Sequence, residues 1–385
     1  MKVSSIVAAT AATFIAGVSS TPLAPRQTDV NPFAGKTFYK SPHFRASVEA
    51  EITRLNADGK TELAAKAAKV AEVPVFIWIS DTAAVSTISG YLKDAAAIQK
   101  STGKKQIVQL VVYNLPDRDC SAKASDGEFH LDNAGEARYE AYIKAVASQL
   151  QRYPEVSVAV SLEPDSIGNL VTNLSVPKCG NAAPAHKRLL GLAISLLQLP
   201  NVSLYLDGAH AGWLGWPDNL APTASVLAEI LNNAKARNPK STVRGLVTNV
   251  SNYNGLGNQE QQGRDELKYI NDLAPLLTAA GYPAHFLVVR PRSIWKPGGG
   301  PRRWRLVQLQ VRWFRTSPSA TTPSSLIDAI VWVKPGGESD GTSDPASPRY
   351  DTTCTSATSY IPSPEAGNWH SAIFELLIEQ ANPAF

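Results

Sequence analysis

The chain lacks several features that would place it in a common structural class. After the first 20 residues, no run approaches ~18 uninterrupted apolar residues, so the sequence contains no candidate membrane-spanning helix. Three cysteines in 385 residues exclude a disulfide-dense module and leave an odd number of thiols. We find no Ser/Thr/Pro-rich linker, no internal repeat and no metal-ligand pattern. We therefore expect one large domain without a metal ion or other cofactor.

The first residues have the composition of a secretory signal peptide. Lys2 supplies the basic start, and an apolar stretch over residues 6–18 leads to small residues suited to cleavage. We predict a signal peptide over residues 1–20, a short N-terminal segment over 21–30 and the folded domain over 31–385. The protein is then secreted and extracellular, and one of the triplets that begin at Asn173, Asn201 and Asn249 at most carries a glycan.

Positive charge is concentrated in one stretch. Residues 290–315 contain seven arginines and Lys296 but no acid. Without these eight residues, 29 basic residues remain against 33 acidic ones, so the formal net charge of +4 becomes mildly acidic. A basic stretch with interleaved Trp is also found in polyanion-binding surfaces. The export signal argues against a nucleic-acid partner.

Short apolar runs alternate with helical patterns along the chain, which predicts an α/β fold with a parallel sheet. The clearest helices are predicted over residues 134–152, 184–198 and 222–237. The pattern of seven strands with helices between them predicts a barrel or a strongly curled sheet. The strands are predicted near residues 75–80, 107–113, 156–162, 202–206, 244–250, 284–289 and 328–333.

Acids and amides follow most of these strands. One such acid is usually a helix cap, but a series of them at strand ends is not explained by capping. Parallel strands gather their carboxyl ends on one face, where the loops form the active site of a barrel. The sequence therefore predicts a cleft rich in carboxylates. The polar residues concerned are Asp81, Asp117, Asp119, Glu163, Asp165, Asp207, His210, Asn252, Lys334 and Glu338.

Carboxylates combined with tryptophans and no metal pattern indicate a carbohydrate substrate. Sugar rings stack on aromatic rings, and a Gly-rich loop contains Trp213 and Trp216, while Trp78 ends the first strand. Glycoside hydrolysis uses two carboxyl groups, one of which is kept protonated. Asp165 after an apolar strand fits the protonated acid, because burial and a neighbouring carboxylate such as Asp119 raise a carboxyl pKa. Arg118 lies beside that neighbour and would hold its charge.

These residues lie in segments that closely resemble glycoside hydrolase family 6, the inverting cellobiohydrolases and endoglucanases. The resemblance runs from Asn31 to Pro383, and it implies a distorted seven-stranded β/α barrel. Because the sequence has no linker and no Cys-dense module, we expect no cellulose-binding module. The similar segments are YNLPDRDC (113–120), LEPDSIGNLVTN (162–173), PKC (177–179), YLDGAHAGWLGWP (205–217), TNVSNYNG (248–255) and VWVKPGGESDGTSD (331–344).

The resemblance also implies residue roles. Asp165 corresponds to the proton donor and Asp119 to the aspartate that raises the donor's pKa. Tyr113 corresponds to the tyrosine that distorts the sugar, Ser125 to a residue holding the catalytic water, and Asp340 to the debated base. Sugar contacts are implied for Trp78, Asp81, Asp207, His210, Trp213, Trp216, Asn252, Lys334 and Glu338.

The implied activity is hydrolysis of cellulose and cello-oligosaccharides by a monomer that has no membrane partner. Cys120 and Cys179 correspond to a disulfide in one roof loop, and residues 335–353 have the length of a second roof loop. Two long roof loops favour release of cellobiose from non-reducing chain ends. The alternatives are an endo-β-1,4-glucanase with an open cleft and a catalytically impaired glucan-binding protein.

The resemblance stops between Val289 and about Thr316. Codons for Arg290–Trp295 can be chosen so that the next reading frame gives Asp-Gln-Gly-Arg-Ser-Gly, and codons for Trp304–Gln308 so that it gives Gly-Asp-Trp-Cys-Asn. Both segments are expected in the family, and the second would place a cysteine at position 307 as partner for Cys354. Our hypothesis is two compensating single-base insertions or deletions. Genomic DNA, or a tryptic peptide map across residues 285–325, tests it, and a clean match to residues 290–315 would contradict it.

Overall fold

Eight parallel strands form one sheet in the described residues of the computed structural model, which are 30–252, 254–257, 265–289, 317–357 and 359–381. Backbone contacts divide the chain between Asn31 and Pro32, and all strands and helices named below belong to the unit that begins at Pro32. The predicted signal peptide and the basic stretch 290–315, with its frame-shift hypothesis, lie outside the described residues. Within the described residues, no helix has the length and apolarity needed to cross a membrane.

The strands follow one another around the sheet largely in chain order. β3 to β8 pair in sequence, while β1 and β2 both pair with the other side of β3. The seven predicted strands are confirmed, and the additional two-residue β1 is too short to leave a hydrophobic pattern. The strands are β1 (Thr37–Phe38), β2 (Ile77–Ile79), β3 (Gln106–Val112), β4 (Ser157–Leu162), β5 (Val202–Asp207), β6 (Gly245–Thr248), β7 (His285–Val289) and β8 (Ile327–Val331).

The sheet curls into a distorted barrel, which confirms the predicted fold class. At the seam, the Phe76 N–H donates to the Trp332 carbonyl at 2.9 Å, but no β-ladder joins β2 to β8 in the described residues. β6 and β7 approach closely at Gly245, where an added β-carbon would lie 1.8 Å from the His285 carbonyl oxygen. Only glycine is compatible with this contact.

Ten α-helices connect or flank the strands in the described residues. Predicted helices 184–198 and 222–237 are observed to begin earlier, because Pro177 and Pro217 occupy the first helical positions, while Pro184 and Pro222 lie within the helices without ending them. The helices are α1 (Pro42–Ala57), α2 (Thr61–Val70), α3 (Ile88–Thr102), α4 (Gly135–Gln151), α5 (Ser166–Thr172), α6 (Pro177–Leu196), α7 (Ala211–Leu214), α8 (Pro217–Arg237), α9 (Glu266–Ala279) and α10 (Ser371–Glu379).

The strands are buried on both faces, because the barrel interior and the helical layer each contribute a core. Along β3, Ile107 and Val111 point into the interior, and Val108 and Leu110 pack against the helices. This explains the nearly continuous apolar runs that are typical of parallel strands. The hydrophobic core therefore fixes the carboxyl ends of the strands, where the loops of the site begin.

Of the three predicted glycosylation triplets, one is inaccessible. Asn249 is fully buried, and its side-chain amide donates to the carbonyls of Asn254 and Val289 at 3.2 and 3.0 Å. Asn173 and Asn201 are partly exposed. Glycosylation at Asn249 is therefore incompatible with the fold.

Candidate active site

Strand β2 and the loops after β3, β4, β5, β6 and β8 enclose a cleft with a volume of about 520 Å³. It lies at the carboxyl ends of the parallel strands, as expected for a barrel. Most of the predicted site residues line this cleft. They are Trp78, Tyr113, Asp119, Ser125, Asp165, His210, Trp213, Trp216, Asn252, Lys334 and Asp340.

Asp165 lies at the turn between β4 and α5. Its backbone has φ of 64°, and its N–H donates to the Asp207 carboxylate at 2.8 Å. Its Oδ1 is buried and makes no hydrogen bond of normal length to the described residues, while the residue as a whole is half-buried and lines the cleft. A left-handed conformation at a non-glycine residue costs about 1–3 kcal/mol and is typical of functional sites.

The environment of Asp165 favours a protonated carboxyl. Burial raises its pKa to about 6, and the negative charge of Asp119 contributes in the same direction. Ser251 and the Lys334 ammonium act in the opposite direction. A carboxyl with this pKa is suited to donating a proton in mildly acidic solution.

Asp119 follows β3 and is also left-handed, with φ of 56°. The Ser125 N–H donates to its Oδ2 at 2.8 Å. Burial raises the pKa of Asp119, whereas this hydrogen bond and the charges of Arg118 and Lys178 lower it. Asp119 is thus a second, half-buried carboxyl in the cleft, and the charges of Arg118 and Lys178 favour its anion.

Arg118 organises the loop backbone. Its guanidinium donates to the carbonyls of Ser80 at 2.8 Å, Ser125 at 3.0 Å and Tyr113, and it lies 4.2 Å from the centre of the Tyr113 ring. Arg118 acts on Asp119 through its charge, and its described hydrogen bonds go to carbonyl oxygens. Burial raises the pKa of the Tyr113 hydroxyl well above its usual value, so the phenol stays neutral.

Asp340 lies at the edge of the cleft formed by the loop after β8. Its Oδ1 is 2.9 Å from the Lys334 ammonium, which lies 5.8 Å from the centre of the Trp78 ring. The Trp78 indole N–H donates to the Val333 carbonyl at 2.8 Å. Asp340, Lys334 and Trp78 therefore form one wall of the cleft.

The loop after β5 provides the aromatic wall. The Trp213 indole donates to the Thr172 hydroxyl at 2.7 Å, and the His210 ring lies 5.9 Å from the Trp213 ring. Trp216 is 49% exposed, an unusual state for a tryptophan unless it serves a ligand. Asn252 hydrogen-bonds to the His210 ring at 3.0 Å.

Three predicted sugar contacts lie outside the cleft lining. Asp207 is 1% exposed, and its carboxylate accepts the backbone N–H groups of Asp165 and Ala209, so it supports the acid from behind. Asp81 is exposed and accepts the Ala84 N–H at 2.8 Å. Glu338 is half-buried and forms a backbone bridge with Trp369.

Two buried carboxyls support the site without lining the cleft. The sequence placed Glu163 after a predicted strand but gave it no role, and it did not single out Glu266. Glu163 is fully buried, its pKa is raised to about 7 by burial, and it accepts from Asn114, Leu115 and Tyr139. Its position after β4 was the only available signal. Glu266, with a pKa also raised to about 7 by burial, accepts the Ala211 N–H at 2.8 Å and the Asn254 amide at 2.7 Å. No local pattern connects Glu266 with that loop.

Two further residues of the loop after β8, Asp351 and Thr353, line the cleft.

Cys120 and Cys179 form the expected disulfide, which joins the loop after β3 to the start of α6. Cys354 is a buried free thiol in the described residues, and position 307, its proposed partner, lies outside them.

Comparison with known proteins identifies a common family. The family described as Glycosyl hydrolases family 6 matches residues 33–381. Exoglucanase 3 of Agaricus bisporus is 45% identical over 367 residues, which are 92% of this chain and 80% of that protein. A Fusarium oxysporum relative with a provisional name of endoglucanase type B is 43% identical over 364 residues, covering 92% of this chain and 77% of that one.

The fold is also similar to solved structures. Cellobiohydrolase II (Cel6A) from Humicola insolens, in complex with glucose and cellotetraose, superposes with a TM-score of 0.86 at 39% identity. The superposition covers 92% of this chain and 100% of that one. The similarity therefore extends over almost the whole barrel.

Proposed function

Because the chain belongs to glycosyl hydrolase family 6, we propose that it hydrolyses β-1,4-glucosidic bonds in cellulose and cello-oligosaccharides with inversion, releasing cellobiose from non-reducing chain ends. The observation that supports the proposal most strongly is the position and environment of the Asp165 carboxyl. This half-buried carboxyl, whose pKa is raised to about 6 by burial, lines a cleft that has aromatic rings on both sides.

Asp165 is the general acid. With a pKa raised to about 6, it is largely protonated in mildly acidic solution and gives its proton to the glycosidic oxygen as the bond to the anomeric carbon breaks. Asp207 keeps the acid in place, because it holds the Asp165 backbone N–H at 2.8 Å.

Asp119 acts as an anion. Its charge favours the protonated state of Asp165 before the reaction, and it stabilises the positive charge that develops on the sugar in the transition state. Tyr113, neutral and packed under Arg118, lies beside the same sugar and favours its distortion.

Water attacks the face of the sugar opposite the leaving group. Ser125 borders the cleft next to Asp119 and holds this water, while Asp340 receives its proton. The Lys334 ammonium lies 2.9 Å from Asp340 Oδ1 and orients that carboxylate. The product is the α-anomer.

The order of the strands places sugar-stacking rings on both sides of the acids. Trp78 belongs to β2, Asp119 and Asp165 follow β3 and β4, and Trp213 and Trp216 follow β5. A glucan chain that stacks on both aromatic groups crosses the two acids. His210, Asn252 and Lys334 supply hydrogen bonds to its hydroxyls.

Exo action is supported by two roof loops. The first roof loop (residues 116–130) is tied by the Cys120–Cys179 disulfide, and the second roof loop (residues 335–353) follows β8. A covered cleft admits chain ends more readily than chain interiors.

The disulfide also supports export to an oxidising compartment. We infer a secreted monomer whose signal peptide covers residues 1–20, whose short N-terminal segment covers 21–30 and whose hydrolase domain covers 31–385. N-terminal sequencing and size-exclusion chromatography of the secreted protein test these assignments.

The test is product analysis on two substrates. NMR of fresh digests of amorphous cellulose should show α-cellobiose before mutarotation, with little viscosity loss on soluble carboxymethylcellulose. Rapid viscosity loss would instead identify an endoglucanase. Binding of cellohexaose without sugar release would overturn the proposal in favour of a glucan-binding protein.

A further inference from the structure

One contact joins the two roof loops. The Arg349 Nη2 of the second roof loop donates to the Ala124 carbonyl of the first roof loop at 2.8 Å. The Arg349 Nη1 lies 3.9 Å from the Glu365 carboxylate, and the arginine side chain is 36% exposed. The two loops are 225 residues apart along the chain, so this bond is purely tertiary.

The loops also interlock around the same point. Ala124 is buried against Cys354. A β-carbon added at Gly341 would lie 2.7 Å from the Cys354 sulfur and 2.8 Å from the Ala124 β-carbon. The close packing leaves little freedom for the Ala124 carbonyl to move away from Arg349.

The same peptide group contacts Asp119. The Ala124 carbonyl and the Ser125 N–H belong to one planar peptide unit, and that N–H donates to Asp119 Oδ2 at 2.8 Å. A positively charged donor on the carbonyl polarises the peptide and strengthens the N–H as a donor. Arg349 and Asp119 are thus connected through a single peptide.

We infer that Arg349 is a positioning residue, which holds the 124–125 peptide so that closure of the roof and the orientation of the Asp119 carboxylate depend on each other. The inference rests on the proposed function, because it assigns Arg349 a role in keeping Asp119 anionic for catalysis. It also gives the roof loops a specific connection that favours exo over endo action.

Several groups face Asp119 and contribute to its charge state. The Ser125 N–H, Arg118 and Lys178 lower its pKa, and Asp351 raises it. Asp165 and Tyr113 also interact with its charge. Loss of the Arg349 contact weakens the Ser125 hydrogen bond, so the pKa of Asp119 rises and the anion persists only at higher pH.

The test compares Arg349→Met with Arg349→Lys and with the wild-type chain. In Arg349→Met we expect kcat/KM on cellotetraose to fall about tenfold, the effect of weakening a charge-assisted hydrogen bond. The acidic limb of the pH profile should move to higher pH, and the viscosity loss on carboxymethylcellulose relative to cellobiose release should increase. Arg349→Lys should restore part of each change.

Arg188→Met is the matched control, because Arg188 is half-exposed and pairs only with Glu136 among its described ion pairs. It should leave activity and pH profile unchanged. Equal thermal unfolding of Arg349→Met and Arg188→Met would exclude a general loss of stability as the cause.

Hydrogen–deuterium exchange provides a readout independent of activity. Peptides that cover residues 119–128 should exchange faster in Arg349→Met than in the wild type. Unchanged exchange would overturn the connection between the loops. Faster exchange with an unmoved acidic limb would overturn the link to Asp119. The wild-type chain could also fail to hydrolyse cellotetraose while its exchange still differs from that of Arg349→Met. That result would overturn the proposed function and the catalytic role of Arg349, and only the structural contact between Arg349 and Ala124 would stand.

Discussion

At the scale of single residues, the site combines backbone strain with buried charge. Asp117, Asp119, Glu163 and Asp165 all have positive φ, between 52° and 64°. Each left-handed residue costs about 1–3 kcal/mol, and hydrogen bonds around the site offset that cost. The Glu163 carboxylate, for example, accepts two backbone N–H groups at the end of β3. Of these four, Asp119 and Asp165 line the cleft, whereas Asp117 and Glu163 lie outside its lining.

Loss of the Asp165 proton should set the basic limb of the pH profile, and the charge of Asp119 should shift that limb. Asp165 loses its proton as the pH rises through about 6, so kcat/KM should decline above that pH. Asp119→Asn removes a negative charge that raises the pKa of Asp165, so its basic limb should move to lower pH and its kcat should fall. Profiles on cellotetraose measure both effects.

Asp58→Asn is the control for this experiment, because Asp58 lies at the exposed end of α1 and pairs with Arg54. It should leave the limb in place. If Asp119→Asn also leaves the limb unmoved, the proposed electrostatic coupling between Asp119 and Asp165 is wrong.

At the scale of secondary-structure elements, helix ends hold the loops of the cleft. Glu266 begins α9 and accepts the N–H of Ala211, which begins α7. The same carboxylate accepts the Asn254 amide from the loop after β6. One helix therefore fixes two loops, which carry His210, Trp213 and Asn252.

The close contact between Gly168 of α5 and Trp213 of α7 leads to a second prediction. At Gly168 of α5, an added β-carbon would lie 2.7 Å from the Trp213 ring. Gly168→Ala should therefore displace the indole, raise KM for cellotetraose several-fold and lower stability by about 1–3 kcal/mol. Thermal unfolding and steady-state kinetics measure these changes.

Gly90→Ala in α3 is the matched control, since nothing lies within 4 Å of its added β-carbon. It should increase stability by about 0.5–1 kcal/mol, because alanine is favoured over glycine in helices. An unchanged KM in Gly168→Ala would show that Trp213 does not bind the sugar where we propose.

At the scale of the whole molecule, the sequence predicted the barrel because each strand is a short apolar run followed by a polar residue. The same rule located Asp119, Asp165 and Lys334 correctly in the cleft. This rule could not distinguish Asp207, which holds the backbone N–H groups of Asp165 and Ala209, from the residues that line the cleft, because all of them follow a strand. Whether such a side chain is buried depends on how the neighbouring strands pack around it, which the local sequence does not show.

Long-range contacts were not predictable from local patterns. The Arg349–Ala124 bond and the contact of Glu266 with the start of α7 join segments that are 225 and 55 residues apart. Neither segment has a composition that indicates its partner. Strand β1 was missed for a different reason, since two residues are too few to form a recognisable apolar run.

The measurement that tests the account most directly is cellobiose release from amorphous cellulose by the wild-type chain and its Asp165→Asn variant at pH 5. Asparagine preserves the shape of the side chain but cannot donate an acidic proton. We expect release by the wild type and a loss of about 10²–10⁴-fold in the variant, with cellohexaose binding retained. Equal release by the two proteins would contradict the assignment of Asp165 as the general acid.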